Sequence, residues 1–102
     1  CLIDFTKSAQ SVHDLIRGLS PIPLSFTHLP NGSMLKVTKS EIYAADGKHG
    51  ACGEVIADDG RIVVACGEGA VSLLGVLPEG KGRMSAADFV RGRKITKGDI
   101  LK

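Results

Sequence analysis

The side chains able to do chemistry are few and scattered in this sequence of 102 residues. Its three histidines, His13, His28 and His49, fall in a helix-like stretch, a strand-like stretch and a Gly-rich loop, and no shared motif joins them to a carboxylate or a serine. His13 falls on the polar side of its helix, which predicts a solvated ring. Ser20, Ser25 and Ser33 lie outside any G-x-S-x-G elbow, the strained turn that exposes a nucleophilic hydroxyl. Asp58 and Asp59 are adjacent, which suits a turn, whereas a general acid and its base must converge across a cleft. Gly67-Glu68-Gly69 has the look of a partial phosphate loop but leads into a strand-like run, so no helix N-terminus waits there for an anion. A tight turn is its expected role.

Cys1, Cys52 and Cys66 form neither a CxxC nor a Cys/His cluster at metal spacing. The odd count points to a reducing compartment, the cytoplasm. A three-residue loop Asp58-Asp59-Gly60 would set Cys52 opposite Cys66 in a hairpin, while a two-residue Asp59-Gly60 turn would put them out of register. Free thiols are expected in both cases, since directly opposed strand positions strain disulfide geometry.

Charge is the feature with a pattern. From Lys81 to Lys102 there are seven basic and two acidic residues, a balance of +5, whereas residues 1–80 carry six basic and nine acidic, a balance of −3. Such asymmetry points to an anionic partner. The chain is 43% hydrophobic, which excludes intrinsic disorder, and its length supplies one modest core. Its longest apolar runs, Ile62 to Cys66 and Ala70 to Leu77, are of strand length and far short of the roughly 20 residues that a membrane helix needs. Cys1-Leu2-Ile3-Asp4 does not read as a signal peptide, and a chain opening on Cys is expected to be a fragment or a processed product.

The elements that would position these residues follow from periodicity. Val12, Leu15, Ile16 and Leu19 make one stripe of a helix that Thr6 or Ser8 could cap, ended by Gly18 and Pro21. Ser20-Pro21-Ile22-Pro23 is a stiff extended connector. From Leu24 the period changes to two, with Leu24 and Phe26 on one face, a Pro30-Asn31-Gly32 turn, and a strand from Met34 to Lys39. On that strand Leu35, Val37 and Lys39 share a face opposite Lys36 and Thr38, unless a bulge intervenes. Strands are expected at Cys52 to Ala57, Arg61 to Cys66 and Val71 to Leu77. A short helix follows over Ser85 to Arg91, with Ser85 as N-cap and Asp88 as its capping-box partner. Ile95, Ile100 and Leu101 around Lys97-Gly98-Asp99 read as a terminal turn and strand. About six short strands with two helices and no βαβ repeat favour a mainly β fold, a small partly open β-barrel.

Taken in order, the motifs resemble the carboxy-terminal domain of the methionyl-tRNA formyltransferase family. The likeness starts at Ile3-Asp4, runs through Ala9 and Ile16-Arg17-Gly18-Leu19-Ser20-Pro21-Ile22-Pro23, and resumes at Leu35-Lys36-Val37 with Lys39 and Glu41. It is densest from Leu77-Pro78-Glu79-Gly80-Lys81 through Arg83-Met84-Ser85-Ala86-Ala87-Asp88-Phe89-Val90-Arg91-Gly92 and ends at Gly98-Asp99. The family often has Trp between the two prolines and Gly-Ala after them, where this chain has Ile22 and Leu24-Ser25. The resemblance implies a Greek-key barrel of the oligonucleotide-binding kind, with a linker helix and connector over 1–23 and the barrel over 24–102. It further implies an amino-terminal catalytic domain that takes 10-formyltetrahydrofolate as formyl donor, with no cofactor in the present domain. The implied partner is initiator methionyl-tRNA, and no membrane is involved. The family's Asn, His and Asp catalytic set has no counterpart at His13, His28 or His49.

Lys36, Lys39, Lys81, Arg83, Arg93, Lys94 and Lys97 are the candidate RNA contacts, with Lys81 and Arg83 favoured because they lie within a matched motif. Arg17 reads as structural, next to the connector. One Tyr, three Phe and no Trp leave few platforms for stacking unpaired bases, so a structured RNA backbone is the expected target. Two other readings share the pattern: a domain following a formyl-transfer or formyl-hydrolysing enzyme for a sugar nucleotide or folate, and a stand-alone binding module.

Overall fold

A computed structural model describes residues 2–19, 25–92 and 95–101. The connector Ser20-Pro21-Ile22-Pro23, Leu24, Arg93, Lys94 and the side chain of Leu19 lie outside the described residues. Helix α1 spans Ala9–Leu19. Ser8 is the residue that caps it, its Oγ accepting from the Ser11 amide at 3.2 Å. Thr6 is turned instead toward Asp4, whose carboxylate accepts its amide at 3.0 Å. The apolar stripe then buries Ala9, Val12 and Ile16 in the core, while Asp14 on the other side accepts from Gln10 at 2.9 Å and pairs with Arg17 at 2.8 Å.

Six antiparallel strands follow: β1 (Ser25–His28), β2 (Met34–Ala44), β3 (Val55–Ala57), β4 (Ile62–Ala65), β5 (Ala70–Pro78) and β6 (Met84–Ser85). The order is β1-β2-β5-β4-β3, with β6 pairing β5 beyond the end of β4. Because β5 returns past β3 and β4 to lie beside β2, these four strands form a Greek key. The sheet curls into half a barrel, as expected. Terminal segments cover its edges: the Ile3 amide donates to the Phe26 carbonyl at 2.7 Å beside β1, and the Leu101 amide to the Gly53 carbonyl at 2.8 Å beside β3. The expected terminal strand is reduced to a bridge between Glu54 and Ile100.

Helix α2 (Ala86–Arg91) packs on β5. Ser85 is its N-cap, accepting from the Asp88 amide at 3.1 Å, but Asp88 does not reach back. Its shorter carboxylate turns to Arg91 at 3.1 Å, so only half of the capping box forms. Leu35, Val37, Ile62, Val64, Val71, Leu73 and Val76 fill the interior with α1 and with Phe89 of α2. Each such fully buried side chain contributes about 1.5–3 kcal/mol.

The bulge allowed for on β2 is present. Pairing with β5 shifts between Val37 and Ser40, and the buried positions change from Leu35 and Val37 to Ser40. Lys39 therefore faces outward with Lys36 and not inward with Val37. Gly75 makes the bend possible, since a Cβ there would fall on the Thr38 hydroxyl. The strand also runs on to Ala44, beyond its expected end.

β1 departs from expectation more sharply. Ser25 and Thr27 are buried while Phe26 and His28 face out, the reverse of the apolar-in pattern. Register with β2 decides it: Ser25 sits opposite Val37 and Thr27 opposite Leu35, both in the core.

Candidate nucleic-acid interface

The topology gathers the β1–β2 loop, the β3–β4 turn, the β5–β6 turn and the 96–99 turn at one end of the half-barrel. The Pro78-Glu79-Gly80-Lys81 motif is a β-turn there. The Lys81 amide donates to the Pro78 carbonyl at 3.0 Å, and Gly80 at φ +75° takes the left-handed position that an L side chain resists. Glu79 ties the turn to β2, its carboxylate accepting from the Met34 amide at 3.2 Å. Each residue of the motif thus has a separate job: Gly80 turns, Glu79 anchors, and Lys81 is held out in solvent.

Lys36 faces outward on β2, and a groove of about 300 Å³, lined also by Met34, Leu77, Pro78, Glu79 and Gly80, separates it from Lys81. Arg83 is exposed two residues further along the arm leading to β6, and Lys39 is exposed past the bulge on the outer face that carries Lys36. Lys97 is exposed at the same end beside β3, where its amide donates to the Asp58 carboxylate at 3.0 Å; the curl of the sheet brings the following Gly98-Asp99-Ile100 against the β1–β2 loop, outside the groove. Of the seven sequence-derived candidates, Lys36 and Lys81 meet on one groove, Lys39 and Arg83 flank it, and Lys97 stands apart. Arg93 and Lys94 lie outside the described residues.

Four of the acidic groups nearby have partners in the backbone or on a helix. Glu79 accepts from Met34, Asp58 from Lys97, Asp99 from the Thr96 amide at 3.0 Å, and Asp88 from Arg91. Among the described residues the ion pairs are Arg17 with Asp14 and Arg91 with Asp88, so the described candidates Lys36, Lys39, Lys81, Arg83 and Lys97 stand in no salt bridge. That is the condition under which a phosphate gains most from approaching them.

Other chemistry stays dispersed. The expected solvation of His13 is not found: its ring is half-buried and Nδ1 lies 2.9 Å from Ser40 Oγ, because the β2 bulge turns Ser40 inward toward α1. His49 Nε2 meets the Asp46 carbonyl at 2.9 Å, and His28 meets the ring of Phe26. No group of three potential metal ligands occurs among the described residues, nor any helix long and apolar enough to cross a membrane. Gly67-Glu68-Gly69 is the expected tight turn, and the Glu68 carbonyl accepts from Ala9 at the head of α1 at 2.7 Å. The outward residues Phe26, Met34 and Leu77 beside Lys36 were missed by sequence reasoning. The one signal available was the register implied by Leu35 and Val37.

An antiparallel half-barrel with one helix packed into its core, a second short helix on β5 and exposed cations on its loop end defines a small mainly β domain. The family described as "Formyl transferase, C-terminal domain" matches residues 1–94. The chain is similar to methionyl-tRNA formyltransferases of Methylobacterium nodulans (43% identity over 97% of this chain and 31% of that protein) and Myxococcus xanthus (46% over 94% and 30%). A third, from Macrococcus caseolyticus, is 45% identical over 90% of this chain and 29% of its own length. The chain belongs to the formyl transferase C-terminal domain family, and it spans about 31% of the length of the first of these relatives.

Proposed function

We propose that this domain is the tRNA-holding, carboxy-terminal part of a methionyl-tRNA formyltransferase. On this reading an amino-terminal domain binds 10-formyltetrahydrofolate and transfers its formyl group to the α-amino nitrogen of initiator methionyl-tRNA in the cytoplasm. The present domain contributes affinity and orientation, not a reacting group. The observation that carries the reading is the pair Lys36 and Lys81 on one groove, flanked by Lys39 and Arg83, none of them in a salt bridge, while Glu79 at the groove accepts from the Met34 amide. Phosphate contacts of this kind supply affinity without reading sequence. They also orient the duplex on the protein.

The 102-residue chain should retard tRNA in a native gel at low salt and lose it as salt rises. Mixed with methionyl-tRNA and 10-formyltetrahydrofolate, it should leave the amino group unmodified. Turnover by the chain alone, or failure to retard tRNA at any salt concentration, would overturn the proposal. Retardation by a sugar nucleotide's enzyme context is separable, because a free sugar nucleotide at millimolar concentration should not displace the tRNA.

A further inference from the structure

β1 is built inside out, and the inversion has a cost. The buried Ser25 hydroxyl has no hydrogen-bond partner among the described residues, which is unfavourable for a polar group stripped of water. In exchange the strand presents Phe26 and His28 to the outside, their rings edge to face with centroids 5.6 Å apart and planes at 83°. Leu2, Phe26, Lys36 and Leu77 are successive cross-strand partners, from the amino-terminal segment through β1 and β2 to β5. His28 lies opposite Met34 in the next row. Phe26, Met34 and Leu77 are half-buried and stand outside the core. An apolar and aromatic row therefore crosses the outer face with an exposed lysine in its middle.

A row of this kind suits different partners unequally. A protein surface would bury Lys36 at the centre of the contact, where lysine is depleted because its charge must be stripped of water without a counter-charge. A nucleotide supplies that counter-charge in its phosphate and offers a flat face to the rings. We infer that the outer face of β1 and β2 is a stacking site for an unpaired nucleotide, with the base stacked on the Phe26 ring, its edge toward His28, and its phosphates on Lys36 and Lys81. The inference rests on the RNA-facing reading above and adds a target class that the low aromatic content had argued against.

The chain has no Trp, so Phe26→Trp introduces a single reporter at the site. Titration with an unpaired RNA hexamer should quench its emission, and a blunt RNA duplex of equal phosphate count should quench it several-fold less. Phe26→Leu keeps an apolar side chain and removes the ring, so it should bind a labelled hexamer about 10-fold more weakly while remaining folded by circular dichroism. Equal quenching by duplex and hexamer, or hexamer binding by Phe26→Leu at the wild-type level, would overturn the stacking site. So would a blue-shifted, hexamer-insensitive Trp in the full-length parent protein, which would mean that a protein surface covers this face. tRNA retardation by the unaltered chain is scored separately, so the stacking site can fail while the tRNA-holding reading stands.

Discussion

Cys66 and Cys52 belong to one hairpin but to different solvents. Hydrogen bonds from Gly53 to the Ala65 carbonyl at 2.8 Å and from Ala65 to the Glu54 carbonyl at 2.9 Å, with a turn closed by the Glu54 amide on the Ala51 carbonyl at 2.9 Å, place Cys52 in a turn just beyond the paired strands. Both are free thiols, Cys52 exposed and Cys66 buried. Burial pushes the Cys66 thiol up to about 11 from an ordinary 9.0, and the neighbouring Cys52 adds to the effect. The folded state therefore holds this proton more tightly than the unfolded chain. Its stabilising contribution is complete below pH 9, declines as pH rises from 9 toward 11, and changes no further above that. A urea midpoint measured at pH 8 and pH 10.5 should fall further for wild type than for Cys66→Ala, and equal falls would refute the assignment. Iodoacetamide at pH 8 should label Cys52 and spare Cys66 until the chain is unfolded.

At the scale of elements, what was legible in the sequence depended on whether a single chain segment decided the outcome. α1 and α2 were readable because Val12, Leu15 and Ile16 keep a helical period, and because Ser85 and Gly92 mark the ends of the second helix. The Pro78 to Lys81 turn was readable as a motif for the same reason. What could not be read depends on two strands at once. The face that β1 buries is dictated by Leu35 and Val37 across the pair, against its own apolar pattern, and the direction of Lys39 is dictated by the bend shared between β2 and β5. Half of the candidate site, the outward row at Phe26, was hidden behind that cross-strand register. The bend makes a direct test possible. Gly75→Ala would push a methyl onto the Thr38 hydroxyl and should cost about 1–3 kcal/mol in urea unfolding. In a Thr38→Ala background the same change should cost clearly less, because the atom it meets is gone. Equal costs in the two backgrounds would show that the strands are not held apart by this contact.

For the whole molecule, the net charge of +2 is less informative than its placement. The longest dimension is 34 Å, about four times the roughly 8 Å Debye length at physiological ionic strength, so an approaching polyanion senses one end and not the average. At the loop end it meets Lys36, Lys81 and Arg83 without paired carboxylates, and this sets the form of the last prediction. Replacing Lys81 and Arg83 by Glu should weaken binding of different tRNAs by about the same factor, because phosphates carry no sequence. It should also flatten the dependence of log affinity on log salt by about one unit per lost contact. Both side chains are exposed, so each change should cost under about 0.5 kcal/mol of stability, which circular dichroism and a urea midpoint would verify. Lys81→Glu, Arg83→Glu and Lys97→Glu taken singly each change the charge by two units, and Lys97 lies outside the groove between Lys36 and Lys81, so Lys97→Glu is the charge-matched comparison for each of the other two. A filter-binding series across salt separates the cases. Loss at Lys81 and Arg83 exceeding loss at Lys97 locates the interface on the β5–β6 turn, and equal loss at all three would mean that only the overall charge of this end matters. A folded double variant that binds like wild type at every salt concentration would exclude the turn as the tRNA-facing surface.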